Sequence, residues 1–301
     1  MLKRRGAGRR IAPGDLDPPP ARAGALRLWM AAAWLGALAV VAYGLHQLEP
    51  YARCIKLGDT RVEWVNPPGW LADENWQQVL PQLEARISLH PDTDPFDDQV
   101  CPYVAAQLSG SSWIAGIRRI TKQTDGRVRI HADFRKPFAL VEKNGLAHLV
   151  DDQGVRLPEQ WPAHRINRSG WWVIQGVTAP VPQAGAHWPG ADLDAGLSLA
   201  RFLYRAEAAG QMPFRSRVRA IDVSNFAGQV DPRGGRLRLV TGQPRGYIHW
   251  GLPPGEEYGI EIKAELKLAR LRERFDELRQ LPDGSTIDVR WEKGIGIGAP
   301  E

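Results

Sequence analysis

Eighteen consecutive residues, Leu28 to Leu45, carry neither charge nor proline. As a helix rising about 1.5 Å per residue they span about 27 Å, close to the roughly 30 Å of a bilayer's hydrocarbon core. Trp29 and Tyr43 sit near the two ends, where amphipathic rings favour the headgroup layer. The pattern predicts a transmembrane helix over residues 28–47. A cleaved signal peptide would call for a shorter apolar region and a small-x-small site, whereas Leu-Glu-Pro-Tyr follows here.

Beyond the span the periodicity changes. Arg61–Val65 predicts a short strand. Asp73 is a plausible helix cap, and Trp76, Val79, Leu80, Leu83 and Ile87 recur at helical spacing. Pro81 falls inside that pattern and should kink or split the helix, because it lacks a backbone donor. A second helix is expected from about Asp98 to Leu108. A hairpin follows, Trp113–Thr121 and Arg127–Arg135, turning at Asp125-Gly126. Its second strand alternates Val128, Ile130, Ala132 and Phe134 with Arg129, His131, Asp133 and Arg135. The expected order is β-α-α-β-β.

The remainder reads mainly as strands. Phe138–Val141 and Leu146–Val150 flank Asn144-Gly145, a strong hairpin signal. Val155–Leu157, Trp171–Ile174, Val218–Val223, Arg236–Thr241 and Tyr247–Trp250 are further strands. One helix is expected over 193–208, on Leu193, Leu197, Ala200 and Tyr204. Another is expected over 261–280, on Ile262, Leu266, Ala269 and Leu278. The closing strand, Thr286–Trp291, alternates Ile287, Val289 and Trp291 with Asp288, Arg290 and Glu292. The expected fold is α+β: one N-terminal transmembrane helix, the β-α-α-β-β module, then a mainly antiparallel β domain with two helices.

Charge supplies a direction. Residues 1–27 hold seven Lys/Arg and two Asp, so the whole net charge of +5 lies there and the rest of the chain balances. Basic residues crowd the N-terminal side of the span, so the positive-inside rule puts residues 1–27 in the cytoplasm and the bulk of the chain outside it. A nucleic-acid partner is not expected, since it would need clustered cations on the body of the protein. With twelve tryptophans and 43% hydrophobic residues, the chain is expected to fold.

Each chemical signal has a plainer rival. Asp92, Asp94, Asp97 and Asp98 offer oxygen ligands, but without calcium-loop spacing or its glycine, so a solvated acidic loop is expected. Gly294, Gly296 and Gly298 mimic a dinucleotide fingerprint with no helix after it to receive a phosphate. The histidines show no paired metal spacing, and no nucleophile elbow occurs. No catalytic residue, metal, cofactor or small-molecule substrate is expected. Cys54 and Cys101, the two cysteines, both fall on the side where disulfides persist. Two readings stand for them, a structural bridge or two separate thiols.

Taken in order, these features resemble the FtsQ/DivIB family of bacterial cell-division proteins. The resemblance rests on the basic tail and single span, followed by a β-α-α-β-β module like a POTRA domain. It rests also on Gly126-Arg127-Val128-Arg129-Ile130, on the junction Arg135-Lys136-Pro137-Phe138-Ala139 and on the hairpin Leu149-Val150-Asp151-Asp152-Gln153-Gly154. The closing Ile287-Asp288-Val289-Arg290-Trp291 is similar to that family's last strand. At Phe134, three residues before the junction proline, the family usually has Glu. The resemblance implies a tail at 1–27, a span at 28–47, a POTRA-like domain at 48–136 and a β-rich domain at 137–298. It implies a non-enzymatic inner-membrane scaffold at the division site, with other bitopic septal proteins as partners and the bilayer contacted through residues 28–47. Partner binding by strand addition at the closing strand would use Ile287, Val289, Arg290 and Trp291. The competing reading places that strand inside the sheet. A POTRA-bearing envelope assembly or transport factor unrelated to division is the alternative function.

Overall fold

The computed structural model describes residues 21–54, 61–87, 97–123, 125–165, 170–228, 230–242, 246–273, 283–292 and 296–298. The chain divides into two units, residues 1–58 and 59–301. In the first, helix α1 covers Ala21–Cys54. Its stretch Leu28–Leu48 is long and apolar enough to cross a membrane. The helix runs past the expected limit at residue 47, through Pro50.

The second unit is mixed α+β and holds two sheets. The smaller one combines β1 (Arg61–Trp64), β2 (Ile114–Lys122) and β3 (Arg127–Phe134) in the order β1-β3-β2. β1 runs parallel to β3, and β2 antiparallel to it. Helices α2 (Val79–Ile87) and α3 (Val100–Ser109) connect β1 to β2. Pro81 and Pro102 both lie in the first turn of their helix, where a missing N–H costs nothing. The helical pattern that begins at Asp73 is therefore split. A short 3-10 turn (Gly69–Ala72) and further turns bring Trp76 inward before α2 starts.

The larger sheet has nine strands. They are β4 (Pro137–Lys143), β5 (Leu146–Asp151), β6 (Arg156–Pro162), β7 (Trp172–Gln175), β8 (Val218–Asp222), β9 (Leu237–Thr241), β10 (Gly246–Gly251), β11 (Ser285–Asp288) and β12 (Gly296–Gly298). Their order is β12-β11-β10-β9-β8-β7-β4-β5-β6. Three contacts, β4–β7, β7–β8 and β10–β11, are parallel, so the sheet is more mixed than expected. Asn144 and Gly145 turn β4 into β5 with φ of 54° and 76°, the left-handed pair that matches a hairpin's twist.

One face of this sheet packs under α4 (Ala191–Ala208) and α5 (Ala264–Glu273), through Val141, Trp172, Ile174, Leu239 and Trp250. α4 sits close because Gly196 faces β7. A Cβ there would lie 3.0 Å from both Ile174 and Val223. α5 buries Ala264, Lys267, Leu268 and Leu271. The expected stripe is thereby corrected: Leu266 is exposed, and the helix is rotated so that a lysine points inward. Leu278 lies outside the described residues.

The opposite face is apolar over β4–β8. Leu140, Ala147, Leu149, Leu157, Val173 and Ala220 belong to the same buried cluster as Val79, Leu83, Val104 and Leu108 of α2 and α3. Trp76 is the hinge of that contact. Its ring meets Trp70, Trp113 and Trp171 at 6.3, 5.6 and 6.2 Å. The passage at 136/137 is thus a change of sheet within one compact unit. Arg135 pins it by an ion pair with the buried Asp151 at 3.0 Å, while Asp151 Oδ1 accepts from the backbone of Gln153 and Val155.

Candidate functional site

Beyond β8 the second face turns polar. Alternation puts Leu237, Leu239, Ile248, Trp250 and Ile287 under the helices, and the residues between them on the other side. Strand register then aligns Asp222, Arg238, His249 and Asp288 across β8, β9, β10 and β11. This is a cross-strand row of complementary groups. Arg238 pairs with Asp222 at 2.7 Å, and its guanidinium lies 4.6 Å from the centre of the Tyr247 ring. His249 Nδ1 accepts the backbone N–H of Gly235 at 2.9 Å.

The row ends at two residues anticipated from sequence. Arg290 donates to both oxygens of Asp288, at 3.0 and 2.7 Å, and to the carbonyls of Gly234 and Arg233 at 3.1 and 3.0 Å. Burial pushes the Asp288 carboxyl up, but the guanidinium outweighs it and holds the pKa below the usual aspartate range. Trp291 Nε1 donates to Asp288 at 3.2 Å, and the Arg290 guanidinium stands 4.8 Å from the centre of the Trp291 ring.

The other two anticipated residues are placed elsewhere. Ile287 and Val289 are buried under the helices. The expected strand 286–291 also ends early, at Asp288, because Arg290 and Trp291 turn to meet the segment before α5: Ile262 N–H donates to Arg290 O at 2.9 Å, and Glu261 bridges Trp291. β11 is no free edge. β10 takes one side and β12 the other, so the glycines at 296 and 298 serve as strand, not as a phosphate loop. Gly294 lies outside the described residues. The reading that put the closing strand inside the sheet is the one that matches.

A second charged group, unforeseen in the sequence, supports this corner from within. Lys267 is fully buried beneath Trp250, its ammonium 5.4 Å from the ring centre. It donates to Glu261 Oε1 at 2.6 Å and has Glu257 at 3.9 Å. Burial pushes its pKa down, and the two carboxylates pull it back up. Glu261 also accepts Leu252 N–H at 2.7 Å. Glu257 accepts Ala264 N–H at 3.0 Å, at the start of α5, and Gly255 N–H at 2.9 Å. The loop from Leu252 to Ile262 is therefore clamped at both ends. It nonetheless holds Tyr258 and Ile260 71% and 79% exposed. With Arg236, Arg290 and Trp291 they line a cleft of about 270 Å³. A signal for Lys267 exists in retrospect: 264, 267, 268 and 271 form an i, i+3, i+4, i+7 set, with two glutamates just upstream.

The remaining sequence signals separate. Cys101 is half-buried on α3 with no disulfide partner among the described residues, and the Cys54 side chain lies outside them. Asp92 and Asp94 also lie outside the described residues. Asp97 O instead accepts from Lys122 Nζ at 2.6 Å, and Asp97 Oδ1 accepts Gln99 N–H at 2.9 Å in the turn before α3. No group of three or more metal-ligating side chains occurs among the described residues. Compared with known proteins, the chain matches no family model and no curated protein.

Proposed function

We propose that this protein is a non-enzymatic bitopic scaffold of the bacterial division machinery, of the FtsQ/DivIB type. It recruits or regulates other septal membrane proteins through domains held outside the cytoplasm. The observation that carries the reading is the order of parts. A basic tail and one membrane-length helix precede a β-α-α-β-β sheet, which runs without a break into a larger sheet closed by a strand, a helix and a strand. The POTRA-like reading of the small sheet belongs to this proposal. Two stretches that carry the resemblance also meet in space, where Arg135 of the junction pairs with Asp151 of the following hairpin.

The anchor confines the protein to two dimensions and raises its effective concentration for partners anchored in the same inner membrane. The contact surface in this reading is the corner of Arg290, Trp291, Tyr258 and Ile260. Ile287 and Val289 act beneath it, as core. Strand addition falls to β12, the edge strand beside β11. A fluorescent fusion of the full chain, followed in dividing cells of its own organism, tests the proposal. Recruitment to midcell before constriction is the expected result. Uniform envelope fluorescence through the cycle would overturn it, and would favour an envelope assembly or transport factor.

A further inference from the structure

The turn between β8 and β9 is tied down by three side chains outside residues 231–235. Asn225, itself buried, donates to Asp231 O at 2.8 Å and accepts from the N–H groups of Val230 and Asp231 at 3.1 and 2.9 Å. Arg290 donates to the carbonyls of Arg233 and Gly234. His249 accepts the N–H of Gly235. The first two ties, an amide and a guanidinium, do not change protonation between pH 5 and 8. The third does. An imidazole nitrogen accepts a hydrogen bond only while it carries no proton, so this bond requires a neutral ring protonated at Nε2. Packing leaves little slack around it. A Cβ at Gly235 would stand 3.0 Å from both Cβ and Nδ1 of His249, so a proton added at Nδ1 meets the Gly235 N–H head on.

We propose that His249 is a pH-sensitive latch on the turn 231–235. The neutral ring holds the turn at Gly235, and protonation at Nδ1 breaks that one tie, loosening the wall of the cleft lined by Pro232, Gly234, Arg236 and Tyr258. The charged groups facing the ring come from both neighbouring strands. Arg238 on β9 opposes the imidazolium and is itself paired with Asp222. Asp288 on β11 favours it, and is engaged by Arg290. On its own strand, Tyr247 shares the face and lies under Arg238. The tie is present while the ring is neutral and lost as falling pH protonates it. The inference is independent of the division reading, since it concerns only the sheet's own contacts.

Hydrogen–deuterium exchange on the full chain in detergent micelles tests it, at pH 7.5 and 5.5 with rates corrected for intrinsic pH dependence. In the wild type, residues 230–236 should exchange severalfold faster at pH 5.5 than at pH 7.5, while α4 is unchanged. His249→Asn keeps an acceptor near the Nδ1 position and cannot titrate, so its turn should be equally protected at both pH values. His249→Phe should exchange fast at both. A wild-type turn protected equally at both pH values would overturn the latch. So would a His249→Asn chain, with α4 intact, that keeps the wild-type pH response. If His249→Asn loses α4 protection, the wild type decides: exchange at Gly235 must follow the His249 NMR titration, and a flat profile rejects the proposal.

Discussion

The face of the large sheet turned away from α4 and α5 has two halves built from the same kind of strand. Over β4–β8 its outward residues are Leu140, Leu149, Val173 and Ala220, and they share a buried cluster with residues of α2 and α3. Over β8–β11 the row is Asp222, Arg238, His249 and Asp288. The first half must be covered, because apolar area contributes only when removed from water. The second can stay open because each charge has a partner at hydrogen-bond distance. The boundary falls at β8, whose Ala220 belongs to the first half and whose Asp222 belongs to the second.

The two halves differ most in what a single truncation should cost. Trp76→Ala removes the ring that joins α2, Trp113 and Trp171. It should destabilise the second unit by about 3–5 kcal/mol, read by denaturant unfolding with the tryptophan loss controlled by circular dichroism. A cost below about 1 kcal/mol would mean that the small sheet and the large one are not joined through this cluster. Arg238→Ala strikes the polar half. It leaves Asp222, whose side chain is only 6% exposed, with the Ser224 N–H as its remaining partner. A loss of about 1–2 kcal/mol is expected. A value near that of Trp76→Ala would show that the polar half behaves as core.

Two histidines sharpen the same contrast. His249 sits in the row with partners on each side. His148, on β5, is buried against Trp188 at 5.7 Å on the helix-covered face. Burial, with Arg156 nearby, pushes its pKa below the ordinary histidine value. The folded state therefore favours the neutral ring. The stability that depends on neutrality is complete above the unfolded pKa of about 6.5 and declines as pH falls below it. His148→Leu should narrow the difference in Tm between pH 7.5 and 5.0. An unchanged difference would show that another group carries the acid sensitivity. The smallest effect is expected at Arg118→Ala. That guanidinium, 73% exposed, pairs with Asp133 on the open side of the small sheet, and its loss should leave Tm unchanged.

Much of the fold was legible because it depends on local periodicity. The membrane-length helix, the two hairpins at Gly126 and Asn144-Gly145, α4 and eleven of the twelve strands follow from apolar spacing and turn residues a few positions apart. β12 is the strand that did not, since two of the three residues in Gly-Ile-Gly are depleted in strands and the segment pairs where β11 presents an edge. The phase of α5 was misread for a related reason. Leu266 looks like a core residue and Lys267 like a surface one, until Glu257 and Glu261, brought in by the preceding loop, give the ammonium partners. Of the four residues anticipated at the site, Arg290 and Trp291 reach the corner. Ile287 and Val289 do not, because alternation says which residues share a face but not which face is buried.

The sequence by itself determined the membrane-length helix, the side of it that carries the charge, and the elements in their order, because each is written in neighbours along the chain. The tertiary structure decided the rest. It decided which half of a sheet face is covered, which lysine is buried, and that a histidine, two aspartates and an arginine from four strands stand in one row. Those residues lie between 11 and 66 positions apart, and only strand register brings them together.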